Sequence, residues 1–390
     1  MELGALVKWA KIKGISMLGT GDFTHPVWLS ELEGKLEETE YGVYKYEGIY
    51  FVLTTEVSNI YFKAGRTRKV HNIIFAPSIK VAGEINSALS QYGSLSSDGR
   101  PILSCECDKM VKDLLRIDPD IFFVPGHAWT PHFSLFGSNS GFDSPEECFE
   151  DQTPKIFSIE TGLSSDPKMN WRWSKLDRFC LTSNSDSHSP SKIGREANVF
   201  KEKISYKELI RILKEKDNSK FLYTIEFFPE EGKYHWDGHR ACKTRLSPEE
   251  AIRLNNLCPV CAKKVTIGVM HRLEGLADRK EGYVDNASPS FKSVVPLAEI
   301  IGNALSLSSG SATVEKEYFQ LIKNSGSEFH ILLETSEEEL KEKCPAKIAK
   351  GIMNVRKGNV EVLPGYDGEY GKVKVFKEGE DASEKQLSFF

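Results

Sequence analysis

The sequence predicts an α/β fold whose main unit is a barrel over roughly residues 1–205, and three observations predict it. Helix-period segments alternate with short apolar runs. The runs are nearly continuous in apolar residues, as strands covered on both faces are. Five of the six runs are followed by His, Asp or Glu, and the sixth, Val70 to Phe75, carries His71 within it. Loops after the strands of such a barrel converge on one mouth, so these groups are expected to share a site.

Taken in order, Leu3 to Lys13 has apolar residues at helical spacing (Leu3, Leu6, Val7, Ala10) and stops at Gly14. The run Ile15 to Gly19 then leads into Thr20-Gly-Asp-Phe-Thr-His-Pro26. Tyr50 to Thr54 ends at Thr55-Glu56, and Val70 to Phe75 is terminated by Ala76-Pro77. A Gly/Ser-rich loop, Tyr92 to Gly99, precedes a helix near Asp108 to Arg116. Ile121 to Val124 runs into Pro125-Gly-His127, Ile156 to Ile159 into Glu160-Thr-Gly162, and Phe179 to Thr182 into Ser183-Asn-Ser-Asp-Ser-His188.

At 390 residues the chain has room for two or three domains of about 150 residues. We expect a catalytic unit over 1–232, a His/Cys-rich basic module over 233–285, a mainly helical region over 286–376 and a disordered charged tail over 377–390. Helices are predicted at Pro296 to Ala304, Val314 to Lys323 and Ser336 to Lys343. A formal charge of −5 gives no global basic field, so any polyanion contact must be local. No apolar run is long enough to span a bilayer, and eight cysteines in this length make no disulfide scaffold. The expectation is a cytoplasmic protein with no membrane partner.

Asp22, His25, Glu56, His71, His127, Asp186 and His188 form the strongest constellation. Mixed imidazole and carboxylate ligands suit zinc, manganese or iron. A carboxylate such as Glu56 can bridge two ions, and two ions can clamp an in-line displacement at phosphorus. Singly each group has a bland reading: a buried His is usually a core residue, and Asp186-Ser-His188 alone would be a capping loop. Four of the nine histidines, however, fall at or beside predicted strand ends.

The order Gly21-Asp-Phe-Thr-His-Pro26, Thr55-Glu56, His71, Gly126-His127, Glu160-Thr-Gly162 and Ser185-Asp-Ser-His188 resembles the PHP (polymerase and histidinol phosphatase) superfamily. Its finer wording is similar to the endonuclease Q family, in Gly19 to Pro26, Ile159 to Asp166 and Ser185 to Arg195. The resemblance runs through nearly the whole chain. It implies a PHP-type distorted (β/α)7 barrel and nicking of DNA 5′ to deaminated bases (hypoxanthine, uracil, xanthine) or at abasic sites. It also implies that Glu56, His71, His127 and Asp186 hold catalytic ions, with His25 and His188 at a neighbouring ion. Catalysis is expected to rest on Glu56, Asp186 and His127, with zinc, Mg2+ or Mn2+ as the ion. One departure stands out: no strand with a His-x-His motif precedes Leu3. The expectation is a chain truncated before its first helix, with fewer ions and a weakened nuclease.

His239-Arg-Ala-Cys242 and Cys258-Pro-Val-Cys261 are two ligand pairs fifteen residues apart, the spacing of a structural zinc ribbon, with His235 an alternative to His239. Lys243, Arg245, Arg253, Lys263, Lys264 and Arg272 lie around it, either a phosphate-binding face or a solvated one. Arg66, Arg68 and Lys69 precede His71, while Lys192 and Arg195 follow His188, so these five are expected to contact DNA. Trp129, Phe133 and Phe136, with Ser138 and Asn139, are candidate walls and donors of a pocket for a flipped base, against the commoner reading of aromatics as core.

Pro364 to Gly371 and the helices before it resemble the C-terminal extension of UvrD-type helicases, and the final Gln386, Leu387, Phe389 and Phe390 resemble a sliding-clamp-binding peptide. The leading reading is a metal-dependent endonuclease acting on damaged DNA. The rivals are a PHP phosphatase for small esters and a catalytically impaired lesion-binding protein.

Overall fold

The computed structural model of the chain describes residues 2–97 and 99–377. The expected clamp-binding residues Gln386, Leu387, Phe389 and Phe390 lie outside the described residues. Helix α1 (Leu3–Lys13) ends on Gly14 at φ 86°, where a side chain would strike the Ser327 hydroxyl. Strand β1 (Met17–Gly19) leads to α2 (Pro26–Lys35), followed by β2 (Glu37–Glu40), β3 (Val43–Tyr46), β4 (Ile49–Lys63) and β5 (Arg66–Ala76). Next come α3 (Ile79–Leu89), β6 (Ile102–Leu103), α4 (Cys107–Leu115) and β7 (Phe122–Pro125).

These strands form one seven-stranded sheet in the order β2-β3-β4-β5-β7, with β1 and β6 also paired to β4. The six expected runs all contain strands, but the sheet is mixed and, among the described residues, does not close into a barrel. β1 and β6 run parallel to β4, whereas β4–β5 and β5–β7 are antiparallel. The reason is the two-residue turn Ala64-Gly65, with φ of 51° and 79°. Two successive positive φ values match the strand twist of a tight hairpin. β4 and β5 therefore pair continuously from Leu53↔Ala76 to Lys63↔Arg66.

The short helix α5 (Pro145–Phe149) precedes β8 (Ser158–Glu160), α6 (Pro167–Trp171) and β9 (Cys180–Thr182), with β8 and β9 parallel. β10 (Ala197–Phe200), α7 (Tyr206–Glu215) and β11 (Phe221–Glu226) follow. Their chain continues through β12 (Asp237–His239), β13 (Thr244–Leu246), α8 (Pro248–Arg253), α9 (Val269–Leu276) and β14 (Ser290–Ser293), which pairs with β11. Five helices follow, α10 (Leu297–Leu305), α11 (Ala312–Ser325), α12 (Glu328–Leu333), α13 (Glu337–Lys343) and α14 (Ala346–Arg356), and then the antiparallel pair β15 (Glu361–Leu363) and β16 (Lys372–Lys374). No helix among the described residues is long and apolar enough to cross a membrane.

One large core lies between the sheet and α1, α3 and α4 and includes Phe51, Val57, Ile74, Met110, Trp129 and Phe136, all fully buried. The helices α10 to α14 enclose a second core around Ile300, Val314, Ile331 and Ile352. α1 serves both, since Leu3 and Leu6 enter the first while Trp9 and Ile12 pack on the second. The buried pair Lys13–Glu328, 2.6 Å apart, fixes that junction, and Tyr318 and the Leu297 N–H also donate to Glu328. Such a pair is kept because its charges are satisfied by further hydrogen bonds.

Candidate metal centre

The β4–β5 hairpin builds the centre's floor. Its register sets Glu56 opposite Ile73 and His71 opposite Ser58, so the two groups sit almost abreast. β7 adds His127 from the turn after Pro125, where His127 takes a φ of 29°. Left-handed backbone on a non-glycine residue costs about 1–3 kcal/mol and is often found where function requires it. Asp22 and Asp186 share the feature, at φ 48° and 43°.

Glu56, His71 and His127 each bring one ligand atom within 4.8 Å of the others. His71 Nδ1 is 2.9 Å from one oxygen of Glu56, and His127 Nε2 is 3.4 Å from that same oxygen and 2.9 Å from His71 Nδ1. Three lone-pair atoms directed at one point fit a cation. Despite burial, the two imidazoles and Arg100 hold the Glu56 carboxyl well below its usual range. Burial pushes His71 down, whereas the neighbouring Glu56 brings His127 up against the same penalty.

Around this trio is a ring of support. The His127 backbone N–H donates to Glu160 at 2.7 Å, and Asn184 donates to the other Glu160 oxygen at 2.9 Å. Burial, together with the charge of Glu56, raises the Glu160 carboxyl to about 7. Gly162, at φ 61°, lies so close to His127 that a Cβ would stand 2.5 Å from the His127 Cβ. Arg100 Nε pairs with the second oxygen of Glu56 at 2.7 Å, and its terminal nitrogen reaches Asp186. Arg195 donates to the backbone carbonyls of Ser185 and Asp186, at 2.9 and 3.1 Å, and so fixes the Asp186 loop.

Of the seven residues expected to hold ions, the structure gathers Glu56, His71 and His127 directly, and joins Asp186 to them through Arg100. Asp22 is near enough that Glu56, after desolvation, raises its carboxyl. His25 stands at the N-cap position of α2 without a capping side-chain bond, and His188 is largely exposed, 3.9 Å from Asp186; neither belongs to a ligand group among the described residues. Arg100 and Glu160 were not among the expected site residues. Arg100 is a lone cation after a Gly/Ser loop, which reads as solvated. Glu160 was visible only within the Glu-Thr-Gly motif.

Several expected DNA contacts have other work. Arg68 is buried, donating to the Gly141 carbonyl and packing 4.1 Å from the Phe142 ring, so it is not free for a phosphate. Arg195 is spent on the Asp186 loop. Arg66 is exposed but also donates to the Gly141 carbonyl, at 3.1 Å, Lys192 is exposed, and Lys69 lies over Phe133. The pocket reading also needs correction. Trp129 and Phe136 are fully buried against Trp173, and the Trp129 N–H is used by Asn170. They are core. Half-buried Phe133, 5.1 Å from the His71 ring, is the aromatic at the mouth, with Ser138 and exposed Asn139 further along its loop.

The second ligand group is His239, Cys242, Cys258 and Cys261, again within 4.8 Å of one another. The β12–β13 hairpin supplies the first pair and the turn after α8 the second. Against the upward push of burial, backbone N–H groups and the Thr244 hydroxyl bring the Cys258 thiol down to about 6. Three thiols and an imidazole fit a tetrahedral, thiolate-binding cation. His235 is buried outside this group, its imidazole pushed down to about 4 by desolvation, so the alternative ligand is not used.

Residues 296–359 match a family model described as the MJ0043 C-terminal domain. The chain is 31% identical over 379 residues to the uncharacterized protein YqxK of Bacillus subtilis (strain 168), covering 95% of this chain and 91% of YqxK. It is 32% identical over 254 residues to the uncharacterized protein MJ0043 of Methanocaldococcus jannaschii, covering 63% of this chain but 31% of that protein. Among solved structures, a lesion-specific endonuclease from Pyrococcus furiosus superposes with a TM-score of 0.86 at 28% identity, over 99% of this chain and 94% of that one. Endonuclease Q in complex with a 27-mer duplex carrying an abasic lesion at its active site gives 0.84 at 29% identity, over 98% and 95%.

Proposed function

We propose, because the chain belongs to one family with YqxK and is an endonuclease Q-like protein, that it is a metal-dependent DNA repair endonuclease. The substrate is duplex DNA carrying hypoxanthine, uracil, xanthine or an abasic site, nicked on the 5′ side of the lesion. The observation that carries this reading is the convergence of Glu56, His71 and His127 on one point, with Asp186 beside it.

Glu56, His71 and His127 would hold the catalytic ion, which supplies Lewis acidity at a phosphate oxygen when bound. The chain's own groups do the rest. Glu160, itself held by Asn184, fixes the backbone turn that carries His127, and Arg195 holds the Asp186 loop in place. Exposed Lys192 is available to neighbouring phosphates, with Phe133 as a stacking surface for a base drawn from the helix. His239, Cys242, Cys258 and Cys261 carry a structural zinc, because all four ligands are protein groups and leave no open position.

The test is a nicking assay on a deoxyinosine duplex with added Mn2+. A nick 5′ to the inosine is expected. Release of phosphate from small esters without nicking would establish the phosphatase instead, and a band shift with no cleavage would establish a binding protein.

A further inference from the structure

The two oxygens of Glu56 face different partners. One meets the imidazoles of His71 and His127, and the other meets Arg100 Nε at 2.7 Å. The far end of the same guanidinium reaches Asp186. Arg100 thus bridges Glu56 and Asp186, the two carboxylates that a second cation would otherwise have to share. Its position is built into the sheet. β6 pairs in parallel with β4 at Ser58↔Ile102, and that register sets position 100 alongside position 56. The Ser58 N–H donates to the Pro101 carbonyl at 2.9 Å, directly beyond Arg100. The loop's ends are closed where the N–H and hydroxyl of Ser104 both donate to the Tyr92 carbonyl. At Gly93 a Cβ would lie 2.0 Å from the Ile102 carbonyl oxygen, so the chain passes there only as glycine.

We propose that Arg100 takes the charge role of a second divalent cation, so that the mouth holds one ion and one permanent guanidinium. The inference rests on the reading of Glu56, His71 and His127 as a metal centre. A guanidinium stays charged throughout the physiological range, and its planar fork matches two carboxylates at once. It neutralises Glu56 and Asp186 and offers donors to a phosphate, but it has no ligand position at which to activate water. Water activation then falls to the single ion.

The experiment is Mn2+ titration of the zinc-loaded protein, read by calorimetry and by electron paramagnetic resonance. Thiolate ligands disfavour Mn2+, which keeps the Cys module out of the count. The wild type is expected to take about one equivalent with the spectrum of an isolated ion, and Arg100→Gln about two, with a spin-coupled pair. Arg100→Lys, which keeps the charge, should behave as the wild type. A coupled pair in the wild type overturns the proposal while leaving the metal centre intact. An isolated ion in Arg100→Gln overturns it too, since the second position would then not exist. Failure of the wild type to bind Mn2+ at all would overturn the metal centre itself.

Discussion

His71 and His127 face each other ring nitrogen to ring nitrogen at 2.9 Å, with a single oxygen of Glu56 against both. That geometry crowds two imidazole nitrogens and a carboxylate oxygen onto one point, an arrangement that a bound cation would hold together. We therefore expect Mn2+ to raise the melting temperature of the wild type, by about 2.7 kcal/mol of added stability at a hundredfold excess over Kd. Glu56→Gln should abolish that rise in a thermal scan. Losing a group behind the ligands already costs about 10–100-fold, so losing Glu56 itself should cut nicking by at least ~100-fold.

Two neighbouring glycines should respond differently to alanine. At Gly162, φ is 61° and a Cβ would overlap His127, so Gly162→Ala should displace that imidazole and weaken Mn2+ binding about tenfold or more. At Gly126 the same Cβ meets Glu56 and Glu160 oxygens at 3.5 Å, which is ordinary contact. Gly126→Ala should leave the affinity within about threefold. Calorimetric titration of both variants checks the contrast.

Arg272, on α9, ties the Cys/His module to the loop that follows His127. It donates to the Phe136 and Phe142 carbonyls at 2.9 and 2.8 Å and pairs with Asp143 at 2.6 Å. Arg272→Ala strips donors from two carbonyls and should cost about 2–3 kcal/mol in urea unfolding, chiefly through those carbonyls, since Asp143 is exposed. Faster hydrogen exchange over residues 133–143 should accompany it. Cys258→Ser with Cys261→Ser should give the same exchange pattern and lower bound zinc by about one equivalent.

The stability should depend on pH through Glu226, which is fully buried and bonded to Thr161, the residue after Glu160. Burial raises its carboxyl from 4.5 to about 8, against the hydrogen bond that the Thr161 hydroxyl donates to it at 3.0 Å. Between those values the folded chain keeps a proton that the unfolded chain releases. Stability is therefore full below about pH 4.5, falls as pH rises and levels off above about pH 8. At about 1.4 kcal/mol per unit the loss is about 3–5 kcal/mol. Glu226→Gln should lessen the slope measured by chemical unfolding across this window, leaving the part that Glu160 and Glu231, raised to about 7 and about 8, contribute.

The strands were legible because each is a short apolar run with a breaker after it, and six such runs became β1, β4, β5, β7, β8 and β9. Their directions were not. Apolar runs suggest parallel pairing, but Ala64-Gly65 carries no Asn-Gly or Asp-Gly signal, and its positive φ values are what turn the chain back. Glu56, His71 and His127 could be named in advance because ion ligands must be those residue types. Arg100 could not, since nothing in a polar loop distinguishes an exposed arginine from one that the register of β6 delivers to Glu56. Arg68 failed for the converse reason. Alternation along β5 sends it inward to Gly141 and Phe142, and basic character alone does not show which face a strand residue takes.

The tight return at Ala64-Gly65 also sets an order of events during synthesis. Glu56 and His71 leave the ribosome close together and can register as soon as the hairpin zips, on a microsecond scale, whereas translation adds about 5–20 residues per second. For several seconds the nascent chain displays an acid and an imidazole with neither His127 nor the Cys/His module yet made. Any ion captured in that interval would be held by two groups rather than three, and so exchanged easily. Commitment to a metal waits on residue 127.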